Sequence, residues 1–215
     1  YTGAGLEVSV ASTKTFISQL IGIYLIGLSL FPPPKNILHD LLLEIQLLPA
    51  KVQKVLGMIE EIKKVSRMLA SYENVFFVGK GTSYPVALEG ALKLKEIAYI
   101  HAEGYPAGEL KHGPFALLNE NTPVIAILPK DETYRRMCST IKEIKARGAP
   151  VIVISNFDDS EVYQLVDHVL QLPSTEPLFS PVIQSVALQL VAYFCASEKG
   201  FPIDRPRNLA KSVTV

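Results

Sequence analysis

The sequence predicts an α/β protein built on a doubly wound parallel sheet, a Rossmann-like three-layer sandwich, and three observations support this prediction. After Asn74, short runs of β-branched and aromatic residues alternate with helical patterns. The strand-like runs are almost continuously apolar, which is typical of a parallel sheet covered by helices on both faces. Hydrophobic residues make up 48% of the 215 residues, enough to bury a substantial core.

The first 73 residues are predicted to be mostly helical. A short strand is expected in LEVSV, Leu6–Val10, and Ser12 or Thr13 is expected to cap a helix that ends at the prolines of PPPK. Apolar residues at three- and four-residue spacing predict helices in NILHDLLLEIQLL and over Ala50–Tyr72. Because one strand cannot form a sheet, we expect residues 1–73 to be the back half of a preceding α/β domain plus connecting helices.

Residues 74–203 are predicted to form a complete α/β domain. The expected strands are NVFFVGKG, PVIAILP, PVIVISN and HVLQLP, and helical patterns lie near residues 84–99, 133–147 and 180–199. Residues 204–215, DRPRNLAKSVTV, are polar and lack a helical period, so they are expected to form a C-terminal tail.

Composition excludes several classes of function. The 21 basic and 21 acidic residues balance, which argues against a nucleic-acid or membrane-surface partner. Neither Cys138 nor Cys195 lies in a cluster with metal-ligand spacing, so no metal site and a reduced, cytoplasmic setting are expected. The apolar segment Phe16–Phe31 is shorter than the ~20 residues that a bilayer span requires, and it is predicted to be a buried helix.

Glu89, Lys93 and Glu96 share one stripe of the predicted helix in SYPVALEGALKLKEIAYI, because they are four and then three residues apart. An ordinary surface ion pair has the same spacing. Apolar neighbours along the helix favour burial instead, and burial or a nearby ammonium would shift a carboxyl pKa. Glu96 could then act as a base that moves a proton on carbon.

Three further segments have both a chemical and a structural interpretation. HAEGYPAGELKHGP is predicted to be an irregular binding loop in which His112 exchanges protons near neutral pH, or is simply exposed. GKGTSYP, Gly79–Pro85, is either a ligand-binding turn or a tight turn capped by Thr82 and Ser83. Lys211 could form an imine if it docks in an apolar pocket, and otherwise it is a solvated lysine.

Three motifs identify a family resemblance. GLEVSVASTK, ALEGALKLKEIAYIHAEGYPAGELKHGP and PRNLAKSVTV resemble the isomerase part of the glucosamine-6-phosphate synthases, the glutamine:fructose-6-phosphate amidotransferases. The resemblance extends over essentially the whole chain. It implies sugar-isomerase (SIS) domains, of which this chain would contain the end of the first and all of the second.

The resemblance also implies roles for individual residues. Glu96 resembles the base that moves a proton between the first two sugar carbons, and Lys93 resembles the lysine that holds the open-chain sugar. His112 resembles the ring-opening acid/base, which reaches the neighbouring subunit's site. Lys211 resembles the lysine that forms the Schiff base. The matching sugar-binding positions are Val10, Ser12, Glu89 and Ala210.

Partners follow from the same resemblance. The expected ligands are fructose 6-phosphate and glucosamine 6-phosphate, and the expected partners are a second copy in a homodimer and an N-terminal glutaminase domain; no cofactor is expected. The glutaminase cysteine and the Ser/Thr-rich phosphate loop of the first SIS domain are absent from this sequence. We therefore expect the chain alone to be inactive in amide transfer. A glutamine-independent SIS deaminase or isomerase and a non-catalytic sugar-phosphate sensor are the alternatives.

Overall fold

The computed structural model describes residues 1–212. The fold is a five-stranded parallel sheet with helices on both faces. The spatial order of the strands is β2-β1-β3-β4-β5, and every neighbouring pair is parallel. The strands are β1 Asn74–Gly79, β2 His101–Pro106, β3 Val124–Leu128, β4 Val151–Ser155 and β5 His168–Gln171. The predicted doubly wound α/β architecture is confirmed.

The helices form layers on either side of this sheet. They are α1 Lys14–Leu30, α2 Lys35–Leu56, α3 Ile59–Ala70, α4 Ser83–Ala98, α5 Tyr134–Lys145, α6 Ser160–Tyr163 and α7 Ser180–Glu198. Helices α3, α4 and α7 pack on one face, while α5 and two 3-10 segments, Ala107–His112 and Pro114–Leu117, pack on the other. The predicted helices near residues 84–99, 133–147 and 180–199 are confirmed.

The strands contribute side chains to two separate cores because successive residues of a strand point to opposite faces. Phe77 and Ile125 pack in the core beneath α3, α4 and α7, whereas their neighbours Phe76 and Val124 pack in the core beneath α5. All four side chains are buried. Burial on both faces explains why the strand sequences show no apolar/polar alternation.

The prediction of an irregular loop at the start of HAEGYPAGELKHGP was wrong, because His101–Pro106 is the edge strand β2. It pairs with β1 in parallel from Asn74–His101 to Gly79–Pro106. An edge position tolerates the proline, which cannot donate a ladder hydrogen bond. Gly104 allows α4 to approach, since a Cβ there would lie 2.9 Å from Cδ2 of Leu88.

Three predictions for the N-terminal region were also wrong. Phe16–Phe31 was predicted to be a buried helix, but α1 contains no buried residue. Leu6–Val10 forms no strand in the described chain, where no neighbouring strand is present to pair with it. Helix α2 continues through Pro49, between buried Leu48 and Val55, and the chain breaks instead at Gly57 and Met58 before α3. The helical character predicted for residues 12–73 is otherwise confirmed.

One described helical segment, Pro177–Glu198, is long and apolar enough to cross a membrane by length and composition. Within the fold, 72% of its most apolar window is buried. It includes α7, which packs against α3 and α4 in the core. The hydrophobicity of this segment is therefore explained by its place at the centre of the helical layer.

Candidate functional site

Helix α4 starts directly after β1, and a tight turn positions it. A Cβ on Gly79 would overlap the backbone of Ser83, and Gly81 adopts a left-handed conformation with φ +58°. Both positions therefore favour glycine. The predicted turn is confirmed, but the predicted caps are wrong: the Thr82 side chain makes no cap hydrogen bond, and the buried Ser83 hydroxyl has no partner within residues 1–212.

The stripe predicted on α4 is a buried ion cluster rather than a surface pair. Lys93 is only 3% exposed, and its Nζ donates a 2.6 Å hydrogen bond to Oε2 of Glu96. The Nζ also lies 3.6 Å from Oε1 of Glu89, a distance that suits an ion pair but not a hydrogen bond. One buried ammonium therefore holds two carboxylates on the same helix face.

The two carboxylates differ in their surroundings. The Glu89 side chain is 10% exposed, and burial raises its pKa above the usual value despite the opposing charge of Lys93; the charge of Glu96 raises the pKa further. The Glu96 side chain is 21% exposed. Glu96 is thus the more accessible of the two and receives the direct hydrogen bond from Lys93.

Lys93 lines a cavity of ≈ 160 Å³, which we call the Lys93 cavity. The other walls come from the N-terminal segment, α4, α7 and the tail: Ser9, Ala11, Thr13, Ile97, Gln189, Tyr193, Ile203 and Asp204. The N-terminal segment and the tail are joined by a 3.1 Å hydrogen bond from Val10 N–H to the carbonyl of Asp204. Four parts of the chain therefore enclose one buried ammonium.

Glu7 holds the N-terminal segment in this position. Its carboxylate accepts hydrogen bonds from the backbone N–H groups of Thr13 and Thr15, at 2.9 and 3.3 Å, and from their hydroxyls. Ser12 Oγ lies 2.6 Å from Thr15 Oγ1 and 3.4 Å from Glu7 Oε2. Thr13 occupies the N-cap position, as expected, but neither Ser12 nor Thr13 is the acceptor: the backbone N–H of Thr15 in the first turn of α1 donates to the Glu7 carboxylate.

These hydrogen bonds also shift the acidity of Glu7. Partial burial acts to raise its pKa, but the hydrogen bonds from Thr15 and Thr13 outweigh burial and lower the pKa to about 2. Glu7 is consequently an anion at neutral pH. The dipole of α1 stabilises a negative charge beside the first turn of the helix.

The tail folds back against the N-terminal segment. Nζ of Lys211 donates a hydrogen bond to the backbone carbonyl of Glu7, but Lys211 and Ala210 are both exposed, so Lys211 is not docked in an apolar pocket within the described chain. Tyr99 anchors the middle of the tail: its hydroxyl accepts a 2.7 Å hydrogen bond from Arg207 N–H, and its ring lies 4.3 Å from the Arg207 guanidinium. Lys211 thus lies next to the residue that positions Ser12 and Thr13. Residues 213–215 of the third motif lie outside the described residues.

His112 is not near this cluster. It ends the 3-10 segment Ala107–His112, whose Ala107 and Leu110 pack in the core on the sheet face opposite α4. Its side chain is exposed and does not line the Lys93 cavity. Of the sequence-predicted site residues, Lys93 alone is among those that line the Lys93 cavity. Glu89 and Glu96 contact Lys93, and Lys211 contacts the N-terminal segment that contains Val10 and Ser12, whereas His112 contacts none of these groups within the described chain.

The sequence reasoning missed Glu7, Tyr99 and Asp204. Glu7 lies inside the quoted motif GLEVSVASTK, but no short-range pattern indicates that it would cap a helix six to eight residues away. Tyr99 ends α4 in a left-handed conformation with φ 53°, which is unusual for an aromatic residue and is apparent only in the structure. No group of three or more His, Cys, Asp or Glu residues suited to a metal ion occurs within residues 1–212.

The arrangement suits proton transfer on a small polar substrate. An ammonium stabilises negative charge that develops on an oxygen, and a carboxylate within the same cluster can accept or return a proton. The partly accessible Glu96 and the buried Lys93 provide these two functions side by side.

Comparisons with known proteins relate the chain to one family. The family model described as "SIS domain" matches residues 68–196. The glutamine–fructose-6-phosphate aminotransferase [isomerizing] of Methanosarcina mazei is 48% identical over all of this chain, and that of Aquifex aeolicus is 44% identical over all of it. The chain spans about a third of these relatives' length, 35% and 36%.

Solved structures show the same fold. The C-terminal domain of glucosamine-fructose-6-phosphate aminotransferase from Francisella tularensis matches with a TM-score of 0.86 and 37% identity, covering 94% of this chain and 58% of that one. Glucosamine-6-phosphate deaminase from Thermotoga maritima matches with a TM-score of 0.64 over 96% of this chain and 58% of that one. At 21% identity, the second match shows the fold alone.

Proposed function

The chain belongs to the SIS domain family, and from this premise we propose that it is the sugar-binding, isomerising part of an enzyme that converts fructose 6-phosphate and glutamine to glucosamine 6-phosphate and glutamate. The observation that supports this most is the buried Lys93 between Glu89 and Glu96, facing a cavity that the N-terminal segment and the tail close. The whole-chain identity to aminotransferases of this name favours the same activity over a deaminase or a sensor.

In the proposed reaction, Lys211 supplies the nucleophile. Its amine adds to the C2 carbonyl of the open-chain ketose, and water leaves as the imine forms. The contact between Lys211 and Glu7 supports this role, because it keeps the tail beside Ser12, whose hydroxyl would bind the sugar. The backbones of Val10 and Ala210 would supply further sugar contacts.

Glu96 then moves the proton. Ammonia from glutamine first displaces the lysine amine from the imine, which frees Lys211 and leaves C2 bonded to the new nitrogen. Glu96 removes a proton from C1 of this imine and returns a proton to C2, the proton of the C1 hydroxyl passes to the nitrogen, and the product is the 2-amino aldose. Lys93 would stabilise the negative charge that develops between these carbons, and Glu89 would hold Lys93 in place from the other side. The 2.6 Å contact between Lys93 and Glu96 supports the pairing of these two roles.

Ring opening is assigned to His112 from a second copy of the chain. Its exposure, and its distance from the cavity across the sheet, support a function in the partner's site rather than in its own. The site would then be complete only in a homodimer. The enzyme would act in the cytoplasm, together with a glutaminase domain on the same polypeptide.

The domain division is part of the proposal: residues 1–73 would end a first SIS domain and connect it to the second, residues 74–203 would form the second, and residues 204–215 would form the active-site tail. The surface of α1 supports an additional partner. Helix α1 contains no buried residue, and its Ile23 and Ile26 are 65% and 60% exposed. We expect the first SIS domain or the partner subunit to cover this surface.

The test is reductive trapping in a chimera, defined as the M. mazei relative with its matching segment replaced by this chain. The chimera is incubated with fructose 6-phosphate and borohydride, and the adduct is mapped by mass spectrometry. We expect one adduct at Lys211, lost in Lys211→Arg and retained in Lys95→Arg, an exposed lysine of α4. Sugar binding without a Lys211 adduct would overturn the imine mechanism.

A further inference from the structure

Tyr99 connects helix α4 to strand β2 in a backbone conformation that is unusual for an aromatic residue. It ends α4 with φ 53° and ψ 30°, in the left-handed region, and only Ile100 separates it from β2. Glycine adopts this conformation without steric cost and is the residue most common just beyond the end of a helix. A tyrosine strains the backbone here, and strain of this kind indicates that the side chain has a function.

The Tyr99 side chain joins the end of α7 to the tail. Its ring centroid lies 4.7 Å from that of Phe201, and the guanidinium of Arg207 lies 4.3 Å from the Tyr99 ring centroid. Its hydroxyl accepts a 2.7 Å hydrogen bond from the N–H of Arg207. Phe201 is itself fixed, because its N–H donates to the carbonyl of Ala196 in α7 at 3.0 Å. Tyr99 therefore holds Arg207 against the end of a core helix.

The tail has little buried surface that would fix its position by packing. Of residues 204–212, Pro206 alone is buried. Hydrogen bonds at Asp204 and Lys211 join the tail to the N-terminal segment, and the contact at Tyr99 ties it to α4. A segment with few buried contacts depends on its hydrogen bonds for order, so loss of the Tyr99 contact should loosen the tail.

The Tyr99 contact lies between the two groups that carry the proposed chemistry. Glu96 is in the last turn of α4, three residues before Tyr99, and Lys211 follows Arg207 by four residues. In the proposed reaction, Lys211 bonds to C2 of the sugar and Glu96 removes a proton from C1, so the two side chains must reach adjacent atoms. A displacement of a reacting group by about 1 Å can slow a reaction about 10²-fold.

We propose that Tyr99 is a positioning residue, which sets where the amine of Lys211 lies relative to Glu96. This inference rests on the proposed function, because it concerns the same site. Tyr99 does not line the Lys93 cavity, so its hydroxyl acts on the tail and takes no part in proton transfer. The ring and the hydroxyl have separable tasks: the ring holds the guanidinium of Arg207, and the hydroxyl fixes its backbone.

Hydrogen exchange followed by mass spectrometry measures the structural part of this inference in the substrate-free chimera. Tyr99→Phe keeps the ring and removes the acceptor for the Arg207 N–H. We expect peptides covering residues 204–212 to exchange about 5-fold faster than in the unmodified chimera, because one ordinary hydrogen bond is lost. The matched control is Tyr163→Phe, which removes a hydroxyl that donates to the Phe157 carbonyl at 3.2 Å and should leave this exchange unchanged.

Imine trapping measures the functional part. With saturating fructose 6-phosphate and excess cyanoborohydride, the initial rate of adduct formation at Lys211 should be about 5-fold to 10-fold lower in Tyr99→Phe. The KM for fructose 6-phosphate should change by less than about 2-fold, because the hydroxyl lies outside the Lys93 cavity. Rates are expressed per folded site, so a slower rate with an unchanged KM separates positioning from a loss of folded protein. Tyr163→Phe should keep both values.

The outcomes separate this inference from the proposed function. If the unmodified chimera forms no adduct at Lys211, both are overturned. If the adduct forms and Tyr99→Phe traps it within about 2-fold of the unmodified rate, the proposed function stands and Tyr99 has no positioning role. Unchanged exchange of residues 204–212 in Tyr99→Phe would also overturn the inference, since the hydroxyl would then not hold the tail.

Discussion

The ammonium of Lys93 donates a 2.6 Å hydrogen bond to Glu96 from a position that is almost fully buried. Burying a charge is costly unless it is paired, so the helix must supply partners on the same face. Glu89, one turn before Lys93, supplies the second partner at 3.6 Å. Lys93 is therefore the one cation that both carboxylates share, and removing it leaves two partly buried carboxylates unpaired.

Lys93→Met should destabilise the chain by about 3 kcal/mol at pH 7, because it leaves two partly buried carboxylates without their cation. The pKa of Glu89, already raised, should rise further in the variant. A raised carboxyl pKa favours folding at low pH, and this benefit is lost as the pH rises through the folded-state value. The variant should therefore be closest to the wild type under acidic conditions.

Urea unfolding at several pH values measures this difference. The matched control is Lys95→Met, which removes an exposed lysine two residues away and should change the unfolding free energy by less than about 0.5 kcal/mol. Equal stability of Lys93→Met and the wild type at pH 7 would show that the cluster is not a coupled buried unit.

Glu7→Gln should destabilise helix α1 by about 1 to 2 kcal/mol, because an amide cannot replace a carboxylate that accepts hydrogen bonds from Thr13 and Thr15. The Glu7 pKa is lowered from 4.5 to about 2 in the folded chain. A lowered pKa contributes stability that is present above pH 4.5 and is lost as the pH falls toward 2. The stability difference between wild type and variant should shrink over this interval.

Thermal unfolding, monitored by circular dichroism at several pH values from 7 into the acidic range, measures the stability difference between Glu7→Gln and the wild type. Glu120→Gln, on an exposed turn, serves as the control for loss of one carboxylate. If the difference between Glu7→Gln and the wild type stayed constant with pH, the carboxylate of Glu7 would not be the group that caps α1.

His112 provides a test of the shared site. If each site combines Glu96 of one chain with His112 of its partner, Glu96→Gln and His112→Asn chimeras should each be inactive. Co-refolding them in equal amounts should restore about a quarter of wild-type activity, since half of the dimers are mixed and each mixed dimer has one intact site. No recovery in mixtures that are shown to exchange subunits would place His112 outside the partner's site.

Helical spacing was sufficient to predict the cluster on α4 but not its burial. Spacing alone places Glu89, Lys93 and Glu96 on one stripe, and the apolar neighbours indicated that the stripe is covered. The covering groups come from the N-terminal segment and the tail, more than a hundred residues apart in sequence. Such contacts have no local signal.

Strand β2 shows the corresponding limit for the sheet. Its sequence HAEGYP contains a glycine, a proline and a glutamate, all of which are depleted in strands, yet it pairs along the whole of β1. Edge strands are held by the neighbouring strand rather than by their own propensity. Strands β1, β3 and β4, which are buried on both faces along almost their whole length, were recognisable without that information.

The account's central claim is that Glu96 moves the proton after Lys211 has formed the imine. The most direct measurement compares Glu96→Gln with the unmodified chimera in two assays: borohydride trapping at Lys211 and the rate of glucosamine 6-phosphate formation. The account predicts undiminished trapping and a rate about 10² to 10⁴ times lower, while the exposed control Glu143→Gln keeps both. A rate within about twofold of the unmodified chimera would contradict the assignment of Glu96 as the base.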